Sequence, residues 1–120
     1  MSAIELTGEN FEQTVLDNDI VLVDFWASWC GPCRQFAPTF EAAAENNADI
    51  VFGKVDTEAQ QQLASAASIR SIPTLMAFKK GHLVFNEAGA LPPQALDSLI
   101  GQLKELDVDK AIAESRQQQQ

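Results

Sequence analysis

Eight consecutive residues, Ile20 to Ala27, form a nearly continuous run of apolar side chains, many of them β-branched or aromatic. Such a run is typical of a central strand in a parallel sheet, which helices cover on both faces. Asp24 places a carboxyl group in the middle of this run. Because its neighbours predict burial, we expect Asp24 to be desolvated and the pKa of its carboxyl group to be raised.

Other apolar patterns place strands and helices alternately around this strand. Further strands are predicted at 4–6, 50–56, 74–78 and 83–85, with helices beginning near Glu9, Cys33, Thr57 and Pro92. Thr57 and Gln60 have the spacing of a capping box, which predicts the start of the third helix. A turn at 79–82 joins the last two strands into a hairpin. The order β-α-β-α-β-α-β-β-α indicates an α/β fold, a mixed five-stranded sheet flanked by four helices.

Length and apolar pattern also predict the domain organisation. The 120 residues suit a single core, which we assign to a domain at 1–106. Residues 107–120 form a C-terminal extension that is partly helical or disordered. Val108, Ala111 and Ile112 are spaced so that they can prolong the last helix, whereas 116–120 are expected to be frayed or disordered.

The net charge and the N-terminal residues limit which binding partners and which cellular compartment we expect for this protein. The formal net charge is −9, which makes nucleic acid or an anionic membrane surface an unfavourable partner. No apolar run reaches the roughly 20 residues that span a bilayer. The first seven residues lack the basic and apolar regions of a secretory signal, so we expect a cytoplasmic protein without a membrane association.

The segment Trp29-Cys30-Gly31-Pro32-Cys33 lies between the central strand and a helix, and this context suits a redox dithiol. The thiolate is the nucleophile in disulfide exchange, and a helix N-terminus stabilises a thiolate through its unpaired N–H groups and its dipole. Cys30, at that end, is predicted to be the exposed nucleophile. Cys33, within the first turn, is close enough to resolve a mixed disulfide. Gly31 leaves room for a substrate chain, and Pro32 constrains the loop and so influences the redox potential.

Metal binding is the alternative interpretation of two closely spaced cysteines. A structural zinc ion usually takes four protein ligands. Besides the two cysteines this chain offers only His82, which follows a Lys-Lys-Gly turn and is expected to be a solvated loop residue. A metal site would therefore need a second chain, and we predict none.

Three separated segments resemble the thioredoxin family in order and spacing. Residues 23–33 are similar to its active-site segment almost residue for residue, Ser71-Ile72-Pro73-Thr74-Leu75 resembles its cis-proline loop, and Gly89-Ala90 matches its glycine-containing loop. The resemblance covers roughly residues 3 to 106. It implies the thioredoxin fold and a protein-disulfide reductase that exchanges its dithiol at Cys30 and Cys33 with target disulfides.

The resemblance also assigns roles to residues around the dithiol. It implies that Asp24 assists the deprotonation of Cys33 through water, and that Lys54 accompanies Asp24. From the residues alone, Lys54 is equally well a surface charge at a strand edge. The bond before Pro73 is implied to be cis, which leaves the backbone of Ile72 free to hold an extended substrate segment.

An apolar substrate-binding patch around Cys30 is implied as well, formed by Trp29, Ile72, Gly89 and Ala90. Trp26 and most of the phenylalanines are assigned to core packing. Arg34 follows Cys33 where lysine is common in the family, so the positive charge is kept.

The same resemblance implies how the protein is used. Both electrons are stored in the two sulfurs, so no bound cofactor is expected, and an NADPH-dependent flavoprotein thioredoxin reductase would restore the dithiol. The expected partners are disulfide-containing proteins and this reductase, and the expected state is a monomer. Two alternatives stay open, a disulfide oxidase or isomerase and a non-catalytic binding partner with this fold. Gly31-Pro32 argues against the former, because such enzymes tend to carry a histidine between the cysteines.

Overall fold

A computed structural model describes residues 3–118 as a five-stranded mixed sheet with helices on both faces. The strands are β1 (Ile4–Glu5), β2 (Ile20–Trp26), β3 (Val51–Asp56), β4 (Thr74–Lys79) and β5 (His82–Ala88). The helices are α1 (Phe11–Asp17), α2 (Gly31–Asn46), α3 (Gln61–Ala66), α4 (Pro93–Glu105) and α5 (Val108–Gln118). The spatial strand order is β1-β3-β2-β4-β5, which confirms that the apolar run at 20–27 is the central strand.

Strand β2 is buried on both sides because its alternate residues enter two different cores. Ile20 and Leu22 pack with residues of α2 and α4, whereas Val21, Val23 and Phe25 pack with residues around α1 and α3. Side chains alternate between the two faces of a strand. Asp24 therefore lies on the same face as Leu22, the face covered by α2, which carries Cys33 in its first turn.

Parallel and antiparallel pairs meet at this central strand. Strand β2 pairs in parallel with β3 and antiparallel with β4, and β4 forms a hairpin with β5. Lys80 and Gly81 make the tight turn of this hairpin, both with positive φ. The hairpin prediction is confirmed, although the turn is shorter than expected, since Lys79 ends β4 and His82 begins β5.

The predicted capping box at Thr57 and Gln60 is wrong. Helix α3 begins at Gln61, and Gln60 occupies its N-cap without a side-chain hydrogen bond. Thr57 instead turns back to the end of β2, where its amide and its hydroxyl both donate to the carbonyl of Trp26, at 2.9 and 3.0 Å. Thr57, which the pattern assigned to a helix cap, is thus hydrogen-bonded to the end of β2, just before the segment that contains the cysteines.

The C-terminal extension forms a helix of its own rather than a continuation of α4. Helix α4 ends at Glu105, and Leu106 adopts an extended conformation. The Asp107 side chain then accepts a hydrogen bond from the Lys110 amide at 3.0 Å, which caps α5, and Val108 is buried. Arg116, expected to be frayed, lies within this helix, whereas Gln119 and Gln120 fall outside the described residues.

None of the helices in the described part of the chain combines the length and the apolar character needed to cross a membrane.

Candidate active site

The two cysteines lie where β2 ends and α2 begins. Cys30 is the N-cap residue of α2 and Cys33 is in its first turn. Their Cα atoms are 5.2 Å apart, and the two side chains form a disulfide. The Cys30 sulfur also accepts a hydrogen bond from the Cys33 amide at 3.2 Å. The loop that follows the central strand therefore brings together a reversible two-electron couple at a helix N-terminus.

The expectation that the Cys30 side chain is exposed is wrong for this disulfide form. Cys30 is 5% exposed and Cys33 2%, because both pack with Ala27 beneath Trp26 and Ile72. The exposed fractions of the two side chains differ little, but their positions differ, because Cys30 is the N-cap residue of α2 and Cys33 lies within its first turn.

The start of α2 is electrostatically suited to a thiolate. Its first turn carries no acidic side chain, and its unpaired N–H groups and dipole favour negative charge at Cys30. Pro32, exposed in the first turn, has no N–H to donate. A Cβ atom at Gly31 would meet nothing within 4 Å, so the space beside the disulfide is open at this residue.

The 71–75 loop lies directly against Cys30. The Ile72–Pro73 peptide bond is cis, as the resemblance predicted. The Ile72 carbonyl oxygen is 3.7 Å from the Cys30 sulfur. The Gly89 amide donates to the Pro73 carbonyl at 2.7 Å, and Gly89 has a φ of 108°, which favours glycine. The loop residues Ile72, Pro73 and Gly89 are thus brought to the cysteines, with exposed Ala90 following Gly89.

Two side-chain contacts that the sequence did not indicate hold the segment before Cys30. Trp29 is 65% exposed, and its indole N–H donates to the Glu58 carboxylate at 2.6 Å. The Arg34 guanidinium donates to the Ser28 carbonyl at 2.8 Å. No local pattern indicates either contact, because Glu58 comes from the loop after β3 and the Arg34 side chain folds back across the helix start.

Asp24 is fully buried, as predicted, and neither of its carboxylate oxygens has a hydrogen-bond partner among the described residues. The pKa of Asp24 is raised from 3.8 to about 6, because burial raises it more than the positive charge of Lys54 lowers it. The unsatisfied carboxyl group is costly, which is typical of a functional rather than a structural position.

Lys54 is not at a strand edge, because β3 lies between β1 and β2. It pairs in register with Asp24, and its ammonium group lies 4.9 Å from the centre of the Trp26 ring. The interpretation of Lys54 as a strand-edge surface charge is therefore wrong. Trp26 packs beside the cysteines, as expected of a core residue under the site.

Within residues 3–118, no three His, Cys, Asp or Glu side chains lie close enough together to hold a metal ion. His82 is exposed at the start of β5, where it pairs with Lys79 at the opposite end of the sheet from the cysteines.

A disulfide at the N-terminus of a helix and beside a cis-proline loop, in a fold whose central strand carries a buried carboxyl group, defines a thiol–disulfide oxidoreductase. Comparison with known proteins gives the family. The thioredoxin family model matches residues 2–102. The chain therefore belongs to the thioredoxin family, and it exchanges its dithiol with disulfides through Cys30 and Cys33, the reductase role of that family, without a bound cofactor.

Individual relatives agree with this assignment. The chain is 59% identical over 120 residues to a protein named putative thioredoxin 2 from Streptomyces coelicolor, covering 98% of this chain and 90% of that one. It is 48% identical to thioredoxin 1 of a Nostoc species, over 82% of this chain and 94% of that one. Among solved structures, a mutant thioredoxin from Halobacterium salinarum superimposes with a TM-score of 0.82 at 37% identity, over 88% of this chain and 94% of that one.

Proposed function

We propose that this chain reduces disulfides of other proteins in the cytoplasm, with Cys30 as the nucleophile and Cys33 as the resolving cysteine. The observation that carries this order is the position of Cys30 at the N-cap of α2, where its sulfur accepts the Cys33 amide hydrogen. The same hydrogen bond and the helix dipole stabilise a Cys30 thiolate once the disulfide is reduced.

The exchange proceeds in two steps. The Cys30 thiolate attacks one sulfur of a target disulfide, so that a mixed disulfide forms and the other target sulfur leaves as a thiolate, which takes up a proton. Cys33 then loses its proton and attacks the Cys30 sulfur, which releases the second target thiol and forms the Cys30–Cys33 disulfide. The target gains two electrons and two protons. The chain supplies both electrons and the proton of Cys33, and the second proton comes from the solvent that took up the Cys30 proton when this thiol ionised.

Asp24 is the proton acceptor for Cys33 in the second step, acting through water. Its support is its burial on the α2 face of β2 and a pKa of about 6, which makes it a stronger base near neutral pH than an ordinary aspartate. Lys54, next to it in register, supports the ionised form of this carboxyl group.

Target segments bind across the surface around Cys30. Trp29, Ile72, Pro73, Gly89 and Ala90 form this surface, which combines an exposed indole with the backbone of Ile72 that precedes the cis bond. An extended target segment can add to such a backbone as a further strand does. Gly31 and Pro32 complete it on the helix side and tune the redox potential.

An NADPH-dependent flavoprotein thioredoxin reductase returns the Cys30–Cys33 disulfide to the dithiol and so supplies the electron transport of the cycle. The partners are then this reductase and disulfide-containing proteins, and the chain acts as a monomer. The support for this part of the proposal is membership of the thioredoxin family.

Substitution of each cysteine by serine tests the order of attack. In Cys33→Ser, the mixed disulfide cannot be resolved, so covalent complexes with target proteins accumulate and are seen as reducible bands on a non-reducing gel. In Cys30→Ser, the nucleophile is missing and few complexes form. Equal trapping by the two variants would contradict the assignment of Cys30 as nucleophile.

The redox potential of the Cys30–Cys33 pair tests the direction of exchange. The chain is equilibrated with thiol–disulfide buffers, free thiols are alkylated, and alkylated protein is counted by mass spectrometry. A potential below the glutathione poise, roughly −220 to −260 mV by biochemical extraction, is expected for a reductase. A more oxidising potential would assign an oxidase or isomerase instead.

A further inference from the structure

We propose that Arg70 forms a subsite beside the redox cysteines for a carboxylate of the target, an aspartate or glutamate close to the disulfide that is reduced. The proposal rests on the proposed function, since it concerns which disulfides Cys30 attacks fastest. It adds a charge preference to a surface that is otherwise apolar.

A cavity of about 360 Å³ lies next to Trp29 and Ile72 but is not lined by the cysteines, and Arg70 is among its lining residues. Trp29, Ile69 and Ile72 give this cavity apolar walls, and Ser71 adds a polar one. Ile72 connects it to the dithiol, because the Ile72 carbonyl is 3.7 Å from the Cys30 sulfur. A target segment that presents its disulfide to Cys30 therefore passes the mouth of this cavity.

The Arg70 guanidinium has no ion-pair or hydrogen-bond partner among the described residues, although the chain is strongly acidic. The sequence contains 17 acidic and 8 basic residues. Lys80 and Lys104 take part in ion pairs, with Asp109 and Asp49, and Arg34 is bound to the Ser28 carbonyl. Two carboxylates near this cavity are held by other donors, Glu58 by the Trp29 indole and Asp56 by the amides of Glu58 and Ala59. The Arg70 guanidinium therefore has no direct partner among the described residues to give up when a target carboxylate enters the cavity.

The position of Arg70 in the chain, two residues before Ile72, sets where we expect the carboxylate to lie. An extended chain advances about 3.3 Å per residue. We therefore expect an extended target that passes Ile72 with its cysteine to bring a side chain about two positions away to the Arg70 guanidinium. A guanidinium binds a carboxylate through two parallel hydrogen bonds, a geometry that a lysine ammonium does not provide.

Matched peptide disulfides measure this preference. Each peptide carries one cysteine joined to a thionitrobenzoate group, with glutamate or glutamine two positions before or after the cysteine. The Cys30 thiolate attacks the peptide sulfur and releases coloured thionitrobenzoate, and Cys33 then releases the peptide thiol and closes the Cys30–Cys33 disulfide. Single-turnover rates with the reduced full chain give a glutamate-to-glutamine ratio for each position.

Arg70→Gln is compared with Arg116→Gln, which removes the same charge from an exposed position in α5. We expect Arg70→Gln to lower the glutamate-to-glutamine ratio about threefold at one of the two peptide positions, the size of a partly exposed ion pair. Arg116→Gln should leave the ratio within about 1.3-fold of the unsubstituted chain, and about 1 M salt should remove most of the Arg70 effect.

Equal changes in the two variants would overturn the proposal in favour of a general charge effect, and an unchanged ratio in Arg70→Gln would show that Arg70 is only a solvated side chain. The glutamine peptides keep this outcome separate from the proposed function. If the unsubstituted chain does not reduce them, the reductase proposal fails, whereas normal reduction of them with an unchanged ratio refutes the Arg70 subsite alone.

Discussion

Two charged side chains are buried in the described part of this molecule, and the protein treats them in opposite ways. Lys79, at the end of β4, is 6% exposed, and its ammonium group donates to the carbonyls of Leu103, Lys104 and Leu106 at 2.5, 3.2 and 2.7 Å. Asp24, in the neighbouring strand β2, is fully buried and has no such partner. The buried ammonium group of Lys79 thus has three hydrogen-bond acceptors, whereas the buried carboxyl group of Asp24 has no hydrogen-bond partner among the described residues.

The positions of the two residues explain this difference. The three carbonyls lie at the C-terminal end of α4, which carries the negative end of the helix dipole and has few hydrogen-bond donors of its own, so the ammonium group of Lys79 supplies donors where acceptors are in excess. Asp24 satisfies nothing, and its ionised form is therefore costly. The contrast indicates that Lys79 stabilises the fold at one end of the sheet, whereas burial of Asp24 costs stability, as expected of the proton acceptor proposed for Cys33.

Replacement of Asp24 by asparagine should have the largest effect on stability. An increase of the pKa from 3.8 to about 6 corresponds to about 3 kcal/mol. Between these pH values the folded state keeps a proton that the unfolded state has released, so Asp24 lowers stability progressively as pH rises through this window. Asp24→Asn should therefore raise the free energy of unfolding by about 3 kcal/mol at about pH 8 and by little near pH 4.

Urea unfolding followed by circular dichroism at the two pH values measures this gain. Asp97→Asn, at an exposed position in α4, is the matched control and should change stability little at either pH. A stabilisation by Asp24→Asn that does not depend on pH would mean that the carboxyl group is not desolvated in the way described here.

Replacement of Lys79 by methionine should act in the opposite direction. Methionine fills a similar volume but donates no hydrogen bond, so the three carbonyls lose a shared donor. We expect the free energy of unfolding to fall by about 2 kcal/mol at neutral pH. Thermal or urea unfolding measures this loss, with Lys80→Met as the control, because the exposed Lys80–Asp109 pair at 3.8 Å should contribute less than about 0.5 kcal/mol. Equal losses in the two variants would remove the contrast between Lys79 and Asp24.

Lys54→Met should have the smallest effect of the three substitutions, and it tests how the charge of Lys54 acts on the pKa of Asp24. Removal of its positive charge should raise the pKa of Asp24 above about 6, by less than burial raises it, since burial is the larger cause. Titration of the Asp24 carboxyl carbon by nuclear magnetic resonance measures this pKa directly. A lower pKa in the variant would show that Lys54 does not act on Asp24 by its charge.

Sequence patterns predicted the features that depend on neighbouring residues in the chain. The apolar run at 20–27 identified the central strand and the burial of Asp24, because burial on both faces leaves a local signature. The short segment from Trp29 to Cys33 indicated a redox dithiol at a helix start for the same reason. The cis bond before Pro73 followed only from the family resemblance, since a single sequence gives no local sign of it.

Features that depend on contacts between distant residues were missed. The Trp29–Glu58 and Lys79–Leu106 hydrogen bonds join residues 29 and 27 positions apart. The capping-box prediction failed because the Thr57 hydroxyl had a distant alternative acceptor, the Trp26 carbonyl. A polar side chain takes the best partner in space, and local spacing does not reveal which partner that is.

The indole at Trp29 has a consequence for optical measurements. The chain contains two tryptophans and no tyrosine. Trp29 precedes Cys30 directly, and Trp26 packs beside the cysteines, so both strong emitters lie at the redox end of the sheet. Intrinsic fluorescence of this protein therefore reports on the surroundings of the disulfide, and unfolding of the α5 region would leave it nearly unchanged. A fluorescence transition that separates from the circular dichroism transition would reveal local opening at one end of the molecule.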